Sequence, residues 1–221
     1  MTLLSIFRSK IVFTAAAIGI MLSFELLQGC SSLSRKISSA TDDSPVSASG
    51  SEFDLKSPLL TEKTEFQSHP EWVGLSLNPT GYKKLLKQIE DSEHIHLKDR
   101  GEAHITILTP PEFKTFAGQL SMSEIENAIA ADLNQAKIEP LCVGRGQLSS
   151  QPSSKTYFVV IKAPDLLKIR TLIKTIADRK GVGAEYKAED FYPHVTIGFT
   201  ERDLHIADGV IKDVTSCIAN R

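Results

Sequence analysis

The chain has 221 residues, 41% of them hydrophobic and 24% charged. That composition supports one globular domain with a real core and excludes a chain disordered throughout. The formal net charge of -2 excludes a general basic surface for capturing long nucleic acid and leaves a small anionic substrate open.

The opening MTLLSIFRSK carries Arg8 and Lys10 and no acid, and residues 11 to 24, IVFTAAAIGIMLSF, carry no charge. A positive stretch before a short apolar one reads as an export signal over 1–29. The run is shorter than the roughly 20 apolar residues a membrane span needs. It ends in LLQGC, which resembles the bacterial lipoprotein cleavage box. The resemblance implies that Cys30 becomes the lipidated first residue of a membrane-anchored protein facing the periplasm or cell exterior. The competing reading is an uncleaved helix extended to Leu27, at the cost of burying Glu25.

Residues 30–70 read as the lipidated cysteine and its tether. The stretch SSLSRKISSATDDSPVSASGS is serine-rich and aperiodic, so it buries too little surface to repay its ordering entropy. The folded domain is expected over 71–221, opening at Glu71 and Trp72. Within it Cys142 and Cys217 form an even pair, and spacing leaves a disulfide and two separate core thiols equally open.

WVGLSLN (72–78) predicts a strand. A helix follows over 80–93, opened by Asn78, Pro79 and Thr80, with Tyr82, Leu85, Leu86 and Ile89 at helical spacing. AHITILT is the next strand. SMSEIENAIAADLNQA (121–136) predicts a helix that buries Ile125, Ile129 and Leu133, with Ser123 and Glu126 in capping-box positions. EPLCVGRGQL (139–148) and KTYFVVIKA (155–163) predict an antiparallel pair of strands. Residues 164–181 predict a helix between Pro164 and Gly181, and FYPHVTIGF closes the series as a strand. Each half thus runs strand, helix, strand, a weak internal duplication, and the fold class is α+β with mostly antiparallel sheets.

The two closing strands share an arrangement. In each, His, an apolar residue, Thr and a second apolar residue alternate, so His104 and Thr106 share one face with Ile105 and Ile107 opposite. His194 and Thr196, with Val195 and Ile197, repeat it. Two imidazoles on one cleft suit phosphodiester chemistry: a base deprotonates the attacking oxygen, an acid protonates the departing one, and hydroxyls donate to the phosphate. No metal or other cofactor is required. One such motif with its apolar flanks arises by chance ~0.07 times in a chain of this composition, and two copies far less often.

HITI and HVTI, about ninety residues apart, resemble the two signatures of the 2H phosphoesterase superfamily, which includes 2′-5′ RNA ligase-like proteins and cyclic phosphodiesterases. With YPHVTIGFTERDLH, CVGRGQL and YFVVI, residues 72–221 are most similar to its Swiss Army Knife RNA repair-like branch. The resemblance implies a bilobal, pseudo-twofold fold with both histidines in a central cleft. It also implies hydrolysis of 2′,3′-cyclic or related phosphodiesters on nucleotides or RNA ends. A monomer is expected. The competing class is a tethered module that binds a phosphorylated ligand without turning it over.

Other side chains carry weaker signals. Lys98, Arg100 and Arg145 are candidate phosphate contacts, and Tyr192 and Tyr157 candidates to stack a base. His94 and His96 offer half of a metal site or a solvated loop, and His205 is expected to anchor its loop.

Overall fold

The computed structural model describes residues 53–64 and 69–218, all within the compact unit Ser47–Arg221. The expected signal, Cys30 and most of the serine-rich tether lie outside the described residues. The core reaches back before Glu71. Phe53 and Leu60 are buried, the Tyr82 hydroxyl donates to the Leu60 carbonyl at 2.7 Å, and Lys63 bridges to Leu77. Gly81 permits this approach, because a Cβ there would lie 2.9 Å from Leu60 Cδ2. A segment too polar to announce a strand is thus drawn in by one leucine and one aromatic contact.

The first lobe is built from β1 (Val73–Leu77), α1 (Pro79–Glu93) and β2 (Ala103–Leu108). Asn78 caps α1 by accepting from the Thr80 amide at 2.9 Å, with Pro79 at the first helical position. The helix buries Tyr82, Leu85 and Ile89, the stripe its periodicity predicts. β1 and β2 pair antiparallel, with Ser76 opposite His104 and Gly74 opposite Thr106. Ile105 and Ile107 are fully buried, each contributing roughly 1.5–3 kcal/mol. A one-residue slip would turn both outward, and this pins the register.

After β2 the chain forms a short helix, α2 (Pro110–Lys114), that its sequence pattern does not announce, then α3 (Met122–Gln135). Both begin with reciprocal caps: Thr109 with Glu112, and Ser121 with Glu124. The second corrects the expected Ser123–Glu126 box by two residues. Met122 is buried, so the helix must already be turning at Ser123, and the cap falls on the serine before it. Ile125, Ile129 and Leu133 are buried as expected.

The second lobe is a three-stranded antiparallel sheet, β3 (Glu139–Gln147), β4 (Lys155–Lys162) and β5 (His194–Phe199), with α4 (Pro164–Arg179) between β4 and β5. Phe158 opposes Thr196, and Val160 opposes His194. Both strand–helix–strand halves therefore end on a His-x-Thr strand, and β2 and β5 contact each other. Just before β2, Lys98 pairs antiparallel with Phe199 through backbone bonds of 2.9 and 3.0 Å.

Arg170 of α4 joins the lobes. Its side chain is 2% exposed and its guanidinium donates to the carbonyls of Ile107, Ala188 and Lys187, at 2.5, 2.8 and 2.7 Å, and to Glu112 Oε1 at 2.7 Å. It also lies 4.9 Å from the ring centres of Tyr186 and Phe191. One buried cation thus ties the end of β2 to the loop that delivers β5.

The chain after β5 folds back over the sheet. Gly144 and Gly146 make room for it: a Cβ on Gly144 would meet Phe158 and Ser216, and one on Gly146 would meet Val210. A disulfide joins Cys142 of β3 to Cys217, with the Cα atoms 5.8 Å apart. The Ile218 amide donates to the Val143 carbonyl at 2.9 Å.

Candidate active site

Alternation along β2 and β5 holds in the structure. His104, Thr106, His194 and Thr196 are half-buried, and Ile105, Ile107, Val195 and Ile197 are buried on the other face. A cleft open to solvent lies between the two strands. One wall carries Arg100, Glu102 and His104, and the other carries Thr196, Gly198 and Phe199. The cleft sets His104 against Thr196. His194 and Thr106 are not among the residues that line it; each stands two residues from the lining member of its own motif, on the same face of its strand.

The surroundings of the two histidines differ. His194 Nδ1 lies 2.7 Å from the Tyr192 carbonyl oxygen and its ring meets Phe158 edge-on at 5.9 Å. A carbonyl only accepts, so Nδ1 carries the proton and Nε2 is left with its lone pair. Burial, reinforced by the Lys212 ammonium, lowers its pKa to about 3, and the ring stays neutral through the ordinary working range. His104 is 19% exposed and its Nδ1 lies 3.5 Å from Glu102 Oε1. Burial lowers its pKa too, while Glu102 and Asp203 oppose that by favouring the imidazolium and Arg100 and His69 reinforce it. Trp72 flanks His104 at 4.8 Å and is itself stacked by His69 at 3.8 Å. The missing side chain of Gly74 leaves room for the indole, since a Cβ there would lie 2.5 Å from Trp72.

Thr196 is more constrained than its motif suggests. Its hydroxyl donates to Asp203 Oδ2 at 3.2 Å and accepts from Lys212 Nζ at 3.3 Å. Its single proton is thus committed to a carboxylate. Asp203 Oδ1 also accepts from Lys212 at 2.8 Å and from Thr156 at 2.9 Å. Arg100 and His205 approach Oδ2 at 3.4 and 3.8 Å. Burial pushes the Asp203 carboxyl up, but Lys212, His205 and Thr156 outweigh it and hold it below its ordinary value.

The remaining candidates separate. Arg145 is not brought to this face. It opposes Tyr157 on β4, one residue out of phase with Phe158, and pairs with Glu93 at the end of α1 at 3.2 Å. Tyr157 donates to the same carboxylate at 3.2 Å. Both expected ligand contacts are therefore spent between the sheet and α1. Arg100, 47% exposed, stands in the cleft wall instead. Lys98 contributes its backbone to the Phe199 bridge. Tyr192 is half-buried and its carbonyl orients His194. His94 ends α1 in the left-handed region, at φ 54°, and His96 pairs with Glu90 at 2.8 Å. His205 joins its loop through its amide, which donates to Asp208 at 2.9 Å.

Trp72, Glu102, Asp203 and Lys212 are the site neighbours that sequence reasoning passed over. Trp72 opens an apolar run and reads as its first core residue. The two acids and the lysine carry no motif spacing that would single them out, although Asp203 lies within the stretch YPHVTIGFTERDLH.

Fold and site together define a two-lobed α+β protein with a His-x-Thr strand on either side of a cleft that His104 and Thr196 line. Residues 71–205 match the family described as Swiss Army Knife, 2H phosphoesterase domain, and the chain belongs to that family. A search of curated proteins and a search of solved structures return no match.

Proposed function

We propose that the chain is a metal-independent phosphodiesterase acting on 2′,3′-cyclic or 2′-5′ phosphodiester bonds of nucleotides or RNA ends, with His194 as base and His104 as acid. The observation that carries this reading is the pairing of two His-x-Thr strands across one cleft with unlike surroundings for the two imidazoles. His194 Nε2 has its lone pair free because Nδ1–H is held by Tyr192. It takes a proton from water as the water oxygen bonds to phosphorus. The bond from phosphorus to the ribose oxygen breaks, and the imidazolium of His104, favoured by Glu102 beside Nδ1, protonates that oxygen. Each transfer is worth roughly 10²- to 10⁴-fold. Thr106 donates to a non-bridging oxygen, and Arg100 supplies the cation that Arg145 cannot.

The same reading places the enzyme outside the cytoplasm, as a monomer anchored to a membrane through lipid on Cys30. The Cys142–Cys217 disulfide supports export, since such bonds persist in oxidising compartments. The test is turnover of 2′,3′-cyclic nucleotides, 2′-5′ oligoadenylate and ADP-ribose cyclic phosphate by wild type and His104→Ala. Wild-type hydrolysis of at least one, lost in the variant, is the expected result. Binding without hydrolysis of any would make the chain a tethered binding module instead.

A further inference from the structure

We infer that Lys212, held by Asp203, is a positioning residue of the site: it fixes Thr196 and sets a positive charge against the Phe158 ring that packs on His194. The inference rests on the two-histidine reading only for its catalytic consequence.

Lys212 is 3% exposed and Asp203 7%, a degree of burial that charged residues rarely reach unless paired. Their salt bridge is 2.8 Å long. The ammonium also donates to Thr196 Oγ1 and lies 5.4 Å from the centre of the Phe158 ring. His194 meets the same Phe158 ring edge-on, at 5.9 Å between ring centres. The cation thus touches both the threonine of the second motif and the aromatic ring against its histidine. A buried ion pair contributes little net stability and often can be replaced by apolar residues without loss. Its placement behind the motif, in contact with Thr196, is the feature that a stability role leaves unexplained.

The C-terminal segment delivers Lys212 across the sheet, and that segment is clamped at its far end by the disulfide and by the Ile218–Val143 hydrogen bond. The polar and charged groups acting on His194 come from two places. Lys212, Asp203 and His205 belong to the returning segment, and the Tyr192 carbonyl to the loop before β5. Opposite His194 on β4 stands the uncharged Val160. Arg100, from the segment before β2, acts on the cluster through Asp203. Among these groups the Lys212 charge opposes protonation of His194 most strongly after burial itself.

The test is Lys212→Gln, which removes the charge and keeps an amide able to donate to Asp203 and Thr196. The readout is the histidine ring C–H NMR titration of the full folded chain, with His194 assigned by its absence in His194→Ala. The midpoint of His194 is expected to move upward by on the order of one pH unit, and the acid limb of kcat/KM on a 2′,3′-cyclic nucleotide should move with it. A His194 midpoint unchanged in the folded variant overturns the inference. If Lys212→Gln does not fold, the pair Asp203→Asn with Lys212→Gln is titrated against Asp203→Asn alone, so that only the Lys212 charge differs, and equal His194 midpoints in the two overturn the inference. The NMR readout needs no turnover, so failure of the phosphodiesterase reading shows separately, as wild-type protein that hydrolyses none of the substrates.

Discussion

His194 Nδ1 lies 2.7 Å from the carbonyl oxygen of Tyr192, two residues earlier in the chain. This bond fixes the tautomer that leaves Nε2 as an acceptor, and burial keeps the ring neutral. The pH profile of kcat/KM follows from it. A base must be deprotonated, so the acid limb should lie far below the ordinary histidine value of about 6.5. An acid must be protonated, so activity should fall as pH rises through the pKa of His104, which is itself lowered. The expected profile is a bell with its maximum on the acid side of pH 6.5. A maximum above pH 7.5 would mean that these groups do not set the limbs.

Replacing His104 or His194 by Ala should lower kcat by a factor on the order of 10² to 10⁴, about 3 to 5 kcal/mol in barrier. The double variant should lose less than the sum, because the two act as a unit. Thr106→Ala should cost roughly 1 to 3 kcal/mol in barrier through a lost hydrogen bond to phosphate. Steady-state kinetics on variants shown folded by circular dichroism decide this. A single His→Ala variant retaining more than about a tenth of wild-type kcat would end the two-histidine mechanism.

Arg170 predicts a stability effect remote from the chemistry. Arg170→Met removes a buried cation and strands four carbonyls and the Glu112 carboxylate that it serves. Breaking such a network by removing one partner typically costs about 3–5 kcal/mol. Urea unfolding should register that loss. A change under about 1 kcal/mol would show that water replaces the guanidinium without penalty.

Reduction of the Cys142–Cys217 bond, or Cys142→Ser with Cys217→Ser, should lower stability by roughly 2–4 kcal/mol, the usual range for a crosslink that closes a long loop. The measurement is thermal unfolding with and without a thiol reductant. An identical melting temperature in both conditions would show that the returning segment is held by its packing alone.

For the anchor, Cys30→Ser removes the thiol that would carry the lipid, so it should abolish lipid labelling and block processing at that position. Unchanged labelling and unchanged processing in that variant would exclude the lipoprotein reading.

Among the described residues, the amino-acid order alone determined every strand and the three long helices to within two or three residues. Those elements rest on periodicity: an alternating strand or an i, i+3, i+4 helix face is visible wherever one side must be buried. The His-x-Thr faces were legible for the same reason, because a residue's face on a strand follows from counting by two. A cap two residues from its expected place and an unannounced five-residue helix mark the limit, since short elements carry too little pattern to stand out. Only the tertiary structure decided what those faces meet. Arg145 looked as free as Arg100 in sequence, yet the phase of β3 turns it toward Glu93, while Arg100 reaches the cleft. Asp203 and Lys212 lie nine residues apart in a stretch with no periodicity that would pair them. They become a buried pair because the chain reverses over Gly144 and Gly146 and is tied down at Cys142. Burial and charge pairing depend on which distant segments arrive together, and no local pattern encodes that arrival.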